Sequence, residues 1–356
     1  MSTLIRQRLQ HAALAIGLCA TALAFPLPDL AWARPGDTCQ QNAAAINPIT
    51  ICVTAVERPA GGCGDCSPTP TSDVCPTSGQ PPFSACCSNL SEAVFLAVPG
   101  DTIGVYTPTS EPPVAGAADV GPNVIISGPF GSPFRSNQGA PPHAGLRIEE
   151  CHNAKINAGD PSSPVIDIEP GAGNIIVNGL DVIGGTVGIL VQNSGTAPTQ
   201  PGTVLKAIRA ENNFDLGAGA GIKVTGNRNE VSGSIATSND TGFQVSSNSN
   251  LIRSNRANGN VCDGFLIDGN ANDLRGNEAN NNGCIGFNIP GSGNLLRTNQ
   301  SNRSPQGATK ENDDSEYSFG DSTTQDCGGN KKDNLNFVGT LAGSACKKRY
   351  VQGSYE

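Results

Sequence analysis

The sequence has little from which to build an ordinary mixed core. Aromatic residues are 4% of its 356 positions, with one tryptophan, four tyrosines, one methionine and three histidines. Charged residues are 15%, and 31 acids against 22 bases leave a formal charge of −9. An acidic chain is poorly suited to neutralising phosphates, so no nucleic-acid partner is expected, and it has no general attraction to anionic membrane surfaces. Long apolar runs are missing as well. Beyond residue 33 nothing approaches the roughly 20 apolar residues of a spanning helix, so no membrane span is expected. There is no nucleophile motif or phosphate-cradling glycine loop. Asp240, Asp263 and Asp268 lie near turns, but no compact acidic loop offers calcium its six to eight oxygens. The expectation is no cofactor and no metal.

The first 33 residues carry Arg6 and Arg8, the apolar run Ala12 to Phe25, and Ala31-Trp32-Ala33 before Arg34, the order of a secretory signal peptide. Cys19 invites a lipoprotein reading, but Leu18 stands where lipidation wants a small residue, and cleavage after Ala33 is preferred. The mature chain would be secreted or periplasmic. It would lose the tryptophan and one of 13 cysteines, and keep 20 bases against 30 acids. Twelve remaining cysteines are an even set in an exported chain, which points to disulfides.

Residues 34–87 hold seven of these cysteines (Cys39, Cys52, Cys63, Cys66, Cys75, Cys86 and Cys87) among many Pro, Gly, Ser and Thr. The segment reads as a disulfide-stapled cap with one strand in Pro48 to Val56. Cys63-Gly64-Asp65-Cys66 could be half of a zinc site, but no second pair follows at a zinc-like spacing. A short helix from Leu90 to Val98, capped by Asn89 or Ser91, ends at Pro99-Gly100 and leads into a strand at Asp101. It would cover the open end of the repeat stack that follows.

The repeat is clearest where Gly221-Ile222-Lys223-Val224, Gly242-Phe243-Gln244-Val245, Gly264-Phe265-Leu266-Ile267 and Gly286-Phe287-Asn288-Ile289 restart at intervals of 21, 22 and 22. Four apolar columns result. They are Ile222, Phe243, Phe265 and Phe287; Val224, Val245, Ile267 and Ile289; Val231, Ile252, Leu274 and Leu296; and Ala236, Ala257, Ala279 and Ser301. Alternate strand residues share a face, so all four can point into one narrow core. Asparagine recurs as Asn229, Asn250, Asn272 and Asn294, as Asn255, Asn277 and Asn299, and as Asn239, Asn260 and Asn282. These read as hydrogen-bonded coil corners rather than catalytic amides. Less regular coils precede them. The step from Gly188 to Gly221 is 33 residues, and the excess is assigned to a projecting loop from Asn193 to Gly202.

Pro99-Gly100-Asp101-Thr102-Ile103 after a short helix, followed by Gly/Asn-punctuated coils, resembles the pectate-lyase-like superfamily, most closely its generic right-handed parallel β-helix repeat proteins. The likeness covers roughly residues 88–346, leaving 347–356 as a tail. It implies an all-β solenoid, but that superfamily holds lyases, hydrolases, epimerases and adhesins, so the fold names no reaction. Asn-Thr-Asp, Gly-His-Gly, Arg-Ile-Lys and Asp-Pro-His-Asp are all absent, and the doublet Asp313-Asp314 lies in a polar stretch. His143 and His152 are the only mature histidines. Tyr106, Tyr317, Tyr350 and Tyr355 are expected outside the regular coils.

One outward pattern carries chemistry. Arg253, Arg275 and Arg297 recur every 22 residues, with Lys206 extending the column and Arg256 flanking it. Guanidinium binds carboxylate bidentately, so the column suits an anionic polysaccharide or cell-surface polymer. The resemblance implies that a basic side chain, Lys206 or one of the arginines, would take the proton next to a uronate carboxylate in a lyase. The alternatives are arginines paired with Asp273, Glu278 or Glu230, and a non-catalytic structural or adhesion module. For the cysteines, Cys262 and Cys284 stand 22 apart at one corner of neighbouring coils and are expected to be bridged. Cys327 and Cys346 are expected to staple a last coil.

Overall fold

The computed structural model describes residues 51–54, 85–87, 90, 93–94, 97, 100–106, 124–126, 145–152, 155–158, 160–195, 202–302, 315–319, 324–326, 330–332 and 335–336. All lie within one compact unit, Pro35–Glu356. Residues 1–33, where a signal peptide is expected, Asp313-Asp314, His143, Tyr350, Tyr355, Cys327 and Cys346 lie outside the described residues.

Three sheets carry the chain. The first has eleven strands and begins with Ala85–Cys87, Ile51–Thr54, Thr102–Tyr106 and Arg147–His152. It continues through Ile175–Asn178, Thr203–Lys206, Glu230–Ser232, Leu251–Arg253, Asp273–Arg275 and Leu295–Arg297 to Gln325–Asp326. The second sheet has eight strands, among them Val187–Val191, Ala220–Val224, Thr241–Val245, Phe265–Ile267, Ile285–Ile289 and Ser315–Phe319. The third has nine, including Arg209–Glu211, Ile235–Thr237, Arg256–Asn258, Glu278–Asn280 and Gln300–Asn302. The chain visits the second, first and third sheets in turn and then pairs with its own previous coil. All described pairings are parallel except that of Lys331–Lys332 with Leu335–Asn336. This is a right-handed parallel β-helix, the hand that parallel crossovers take.

The apolar columns fall in register: Ile222 opposite Phe243, Phe243 opposite Phe265, Val231 opposite Ile252, Ala236 opposite Ala257. All are buried. Phe243, Phe265 and Phe287 stack with centroids 4.8 and 4.7 Å apart and planes within 6° and 3°. Tyr317 corrects the expectation that the tyrosines lie outside the coils. Its strand pairs with Ile285–Ile289, its ring stacks 5.0 Å from Phe287, and its hydroxyl donates to the Asn299 carbonyl. At the other end, Leu90, Ala93 and Val94 are helical and buried, and the Ala97 amide donates to the Ala93 carbonyl.

The corners explain the asparagines. The backbone amides of Asn229, Asn250 and Asn272 each donate to the side-chain oxygen of the ladder residue one coil on, at 2.8 Å. The same holds from Asn255 through Asn277 and Asn299 to Asn330, and from Asn213 through Asn239 and Asn260 to Asn282. A corner turns so tightly because the residue before the ladder position is left-handed: Arg228, Ser249 and Ala271 in one row, Gly233, Ser254, Gly276 and Thr298 in another. Thr298 is β-branched at φ 51°, where an L side chain crowds its own carbonyl at a cost of about 1–2 kcal/mol. Its hydroxyl has one exposed bond, to the Arg297 carbonyl. Thr298→Gly is therefore expected to stabilise the fold by about 1 kcal/mol. A fall in the denaturation midpoint would contradict this account of the corner.

Register also corrects the long coil. The excess between Gly188 and Gly221 falls in two places, one between Val191 and Thr203 and one between Asn213 and Ala220. Only the first belongs to the Asn193 to Gly202 loop.

Candidate functional site

Strand alternation puts two columns on the outward face of the first sheet. One runs Lys206, Ser232, Arg253, Arg275, Arg297; the other runs Val204, Glu230, Leu251, Asp273, Leu295. The three arginines occupy consecutive coils, as their spacing requires. Lys206 shares the column but stands two coils from Arg253, with Ser232 between, because the second insertion changes the local period. Arg256 is not on this face. The left-handed Ser254 and ladder residue Asn255 turn the chain, so Arg256 opens a third-sheet strand and pairs there with Glu278, Nε to Oε2 at 2.9 Å.

Carboxylates lie beside the arginines. Arg253 donates Nε and Nη2 to Glu230 Oε1 at 2.9 and 2.8 Å. Arg275 grips Asp273 with both edges of one fork, Nε to Oδ1 at 2.8 Å and Nη2 to Oδ2 at 2.5 Å. The Asp273 hydrogen bonds hold the Arg275 guanidinium above its ordinary pKa against the opposing effect of burial. Arg297 reaches the same Asp273 oxygen only at 3.8 Å, and its Nε is buried without an acceptor among the described residues. Three guanidinium groups thus meet two carboxylates, and the surplus positive charge sits at Arg297. Lys206 is exposed and has no ion pair among the described residues.

The acids considered for calcium have other work. Asp240 Oδ2 accepts from the backbone amides of Asp215, Gly217 and Gly219 at 2.8, 3.0 and 3.2 Å, which fixes the second insertion. Asp263 accepts from the Ile285 amide and the Asn288 side chain, and Asp268 accepts from the Ser246 hydroxyl. Among the described residues one group of possible metal ligands comes together, Cys262, Asp263 and Cys284. There the two cysteines are joined to each other, with Cα atoms 4.4 Å apart. Asp167, outward on the second sheet, is held above the usual carboxylate range by burial, although Gln192 donates to both its oxygens.

Phe214 is an exposed aromatic side chain that the repeat pattern does not single out. It is exposed with Leu216 on the insertion that Asp240 organises, and Val261 is exposed two coils on along the same corner. The signal available was Asn213, a ladder residue set 26 rather than 21 or 22 positions from its successor. Among the described residues no helix is long and apolar enough to cross a membrane.

No family model and no curated protein matches the sequence. Among solved structures, the pectate lyase Pel9A is similar with 16% identity and a TM-score of 0.42, over 80% of each chain. The Dettilon tailspike protein is similar with 13% identity and a TM-score of 0.36, over 67% of this chain and 58% of that one. By its own strand register, the chain is a right-handed parallel β-helix repeat protein.

Proposed function

We propose that the chain is an exported β-helix protein that binds an anionic extracellular polysaccharide along the outward face of its first sheet. The observation that carries this is the in-register column Arg253, Arg275 and Arg297, a cation on each of three consecutive coils with more guanidinium than carboxylate around it. Strand spacing repeats the charge about every 4.8 Å along the stack, and a polymer is the ligand whose own charges also repeat. Each guanidinium retains N–H donors beyond those its carboxylate takes. Cleavage by β-elimination would need a base beside the bound uronate, and Lys206 is the residue we assign to it. The pairing of Arg253 and Arg275 with internal acids favours the second reading, a non-catalytic structural or adhesion module.

The test is affinity electrophoresis of the mature protein in polygalacturonate gels at several salt concentrations. Retardation is expected, weakening as salt rises. Arg253→Ala, Arg275→Ala and Arg297→Ala together are expected to lower affinity at least about tenfold. Because that variant leaves buried Glu230 and Asp273 without partners, a second adds Glu230→Gln and Asp273→Asn to remove the stranded charge. Unchanged retardation in both would sink the proposal. A rise in ultraviolet absorbance that Lys206→Ala abolishes would support elimination, and binding without it supports the non-catalytic module.

A further inference from the structure

We infer that Glu230 and Asp273 are built-in competitors that make the arginine face select polymers over single anions, an inference that rests on the polyanion-binding reading above. The two acids sit on alternate coils of the neighbouring column, Glu230 and Asp273 separated by Leu251. Both are buried, while the arginines they hold are partly open to solvent. A carboxylate fixed in the fold is present at a high effective concentration, which a free monovalent anion cannot match. A chain bearing several carboxylates meets all three arginines in one event, and each contact after the first is intramolecular. Arg297 is the place where such a chain would first engage. It shares Asp273 with Arg275, lies 3.8 Å from it, and has a side chain partly open to solvent, so its outer donors are the least satisfied of the three.

This arrangement differs from a purely structural ion-pair network in its expected response to neutralisation. Glutamine keeps the one oxygen that accepts both Arg253 donors, so that fork stays oriented, while asparagine keeps one of the two oxygens that accept from Arg275 and leaves it one of its two bonds. What disappears is the competing charge. In a structural network, neutralising the acids would loosen the arginines and add no binding. In a competing one, the surplus on the face grows from one positive charge to three.

The experiment compares wild type, Glu230→Gln/Asp273→Asn, and the variant lacking all three arginines and both acids. Polygalacturonate and monomeric galacturonate serve as probes, with binding measured by calorimetry and folding followed by thermal denaturation. The expected results are polymer binding without monomer binding in the wild type, and polymer affinity raised roughly tenfold in the double variant. The double variant should also bind the monomer measurably. Polymer affinity that stays level or falls in the folded double variant, while loss of the arginines abolishes binding, would overturn the inference and leave the polyanion reading standing. Polymer affinity that survives loss of the arginines would overturn both.

Discussion

Gly242→Ala is expected to lower the stability of the stack by about 3 kcal/mol or more, seen as a large fall in the urea midpoint. On conformational grounds alone the substitution should help. Gly242 has no positive φ, and alanine there would reduce the entropy of the unfolded chain by about 0.4–1 kcal/mol. Packing reverses the sign. A Cβ at 242 would stand 2.5 Å from the Gly264 carbonyl oxygen, 2.9 Å from the Ala257 Cβ and 2.9 Å from Asn260 Nδ2. None of the three can yield cheaply. The Gly264 carbonyl accepts the Phe243 amide, Asn260 Nδ2 is tied to the Ala236 carbonyl and to Asn282, and Ala257 belongs to the buried third-sheet column. Glycine is the residue that lets the second sheet approach the alanine column this closely. Gly259→Ala is the control, since a Cβ there meets nothing within 4 Å and the cost is that of φ +62° alone. Equal losses in the two variants would contradict the packing argument.

Asn277→Leu is expected to cost about 3–5 kcal/mol, although leucine fills a similar volume and is apolar in a buried place. Asn277 Oδ1 accepts from both the backbone amide and the side chain of Asn255, at 3.0 and 3.1 Å. Its Nδ2 donates to the Ile252 carbonyl at 2.8 Å and to Asn299 Oδ1 at 2.9 Å. Leucine would leave the Asn255 amide without its acceptor and take one bond each from the Ile252 carbonyl, Asn255 Nδ2 and Asn299 Oδ1, the last two keeping the Val231 carbonyl and the backbone amide of residue 277; an unmade buried hydrogen bond costs about 1–3 kcal/mol. Hydrogen exchange would show where the loss falls. The Asn255 amide should lose protection first. A denaturation midpoint within about 1 kcal/mol of wild type would show that the ladder is ornament rather than support.

How much of this was legible follows from what keeps the period and what breaks it. The columns through Phe243, Phe265 and Phe287 were readable because residues 21 or 22 apart stack without any change in corner length. Asn213 and Asn330 were not, since they serve the same ladders at separations of 26 and 31. An insertion shifts the count without disturbing the hydrogen bonds. The same shift placed Lys206 one coil too near Arg253. Arg256 was misplaced for another reason. Three positions separate it from Arg253, yet a left-handed residue and a ladder asparagine between them rotate the chain onto a different sheet, and periodicity counts residues without seeing corners. The pairing of the arginines lay in the sequence as Glu230 and Asp273, but choosing them over Glu278 needed the diagonal register between strands.

The ladders give the stack a direction that its near-identical coils conceal. In all three buried rows the backbone amide of one coil donates to a side chain supplied by the coil that follows it, as Asn250 does to Asn272, Asn255 to Asn277 and Asn239 to Asn260. The exposed row points the other way, the Asn248 amide reaching back to Asn227 and Asn270 back to Asn248. A stack cut short at any regular coil would therefore end, on its carboxyl side, with buried-row amides that have lost their acceptors, and Asn330, beyond the last regular coil, supplies the acceptor for the row that ends at Asn299.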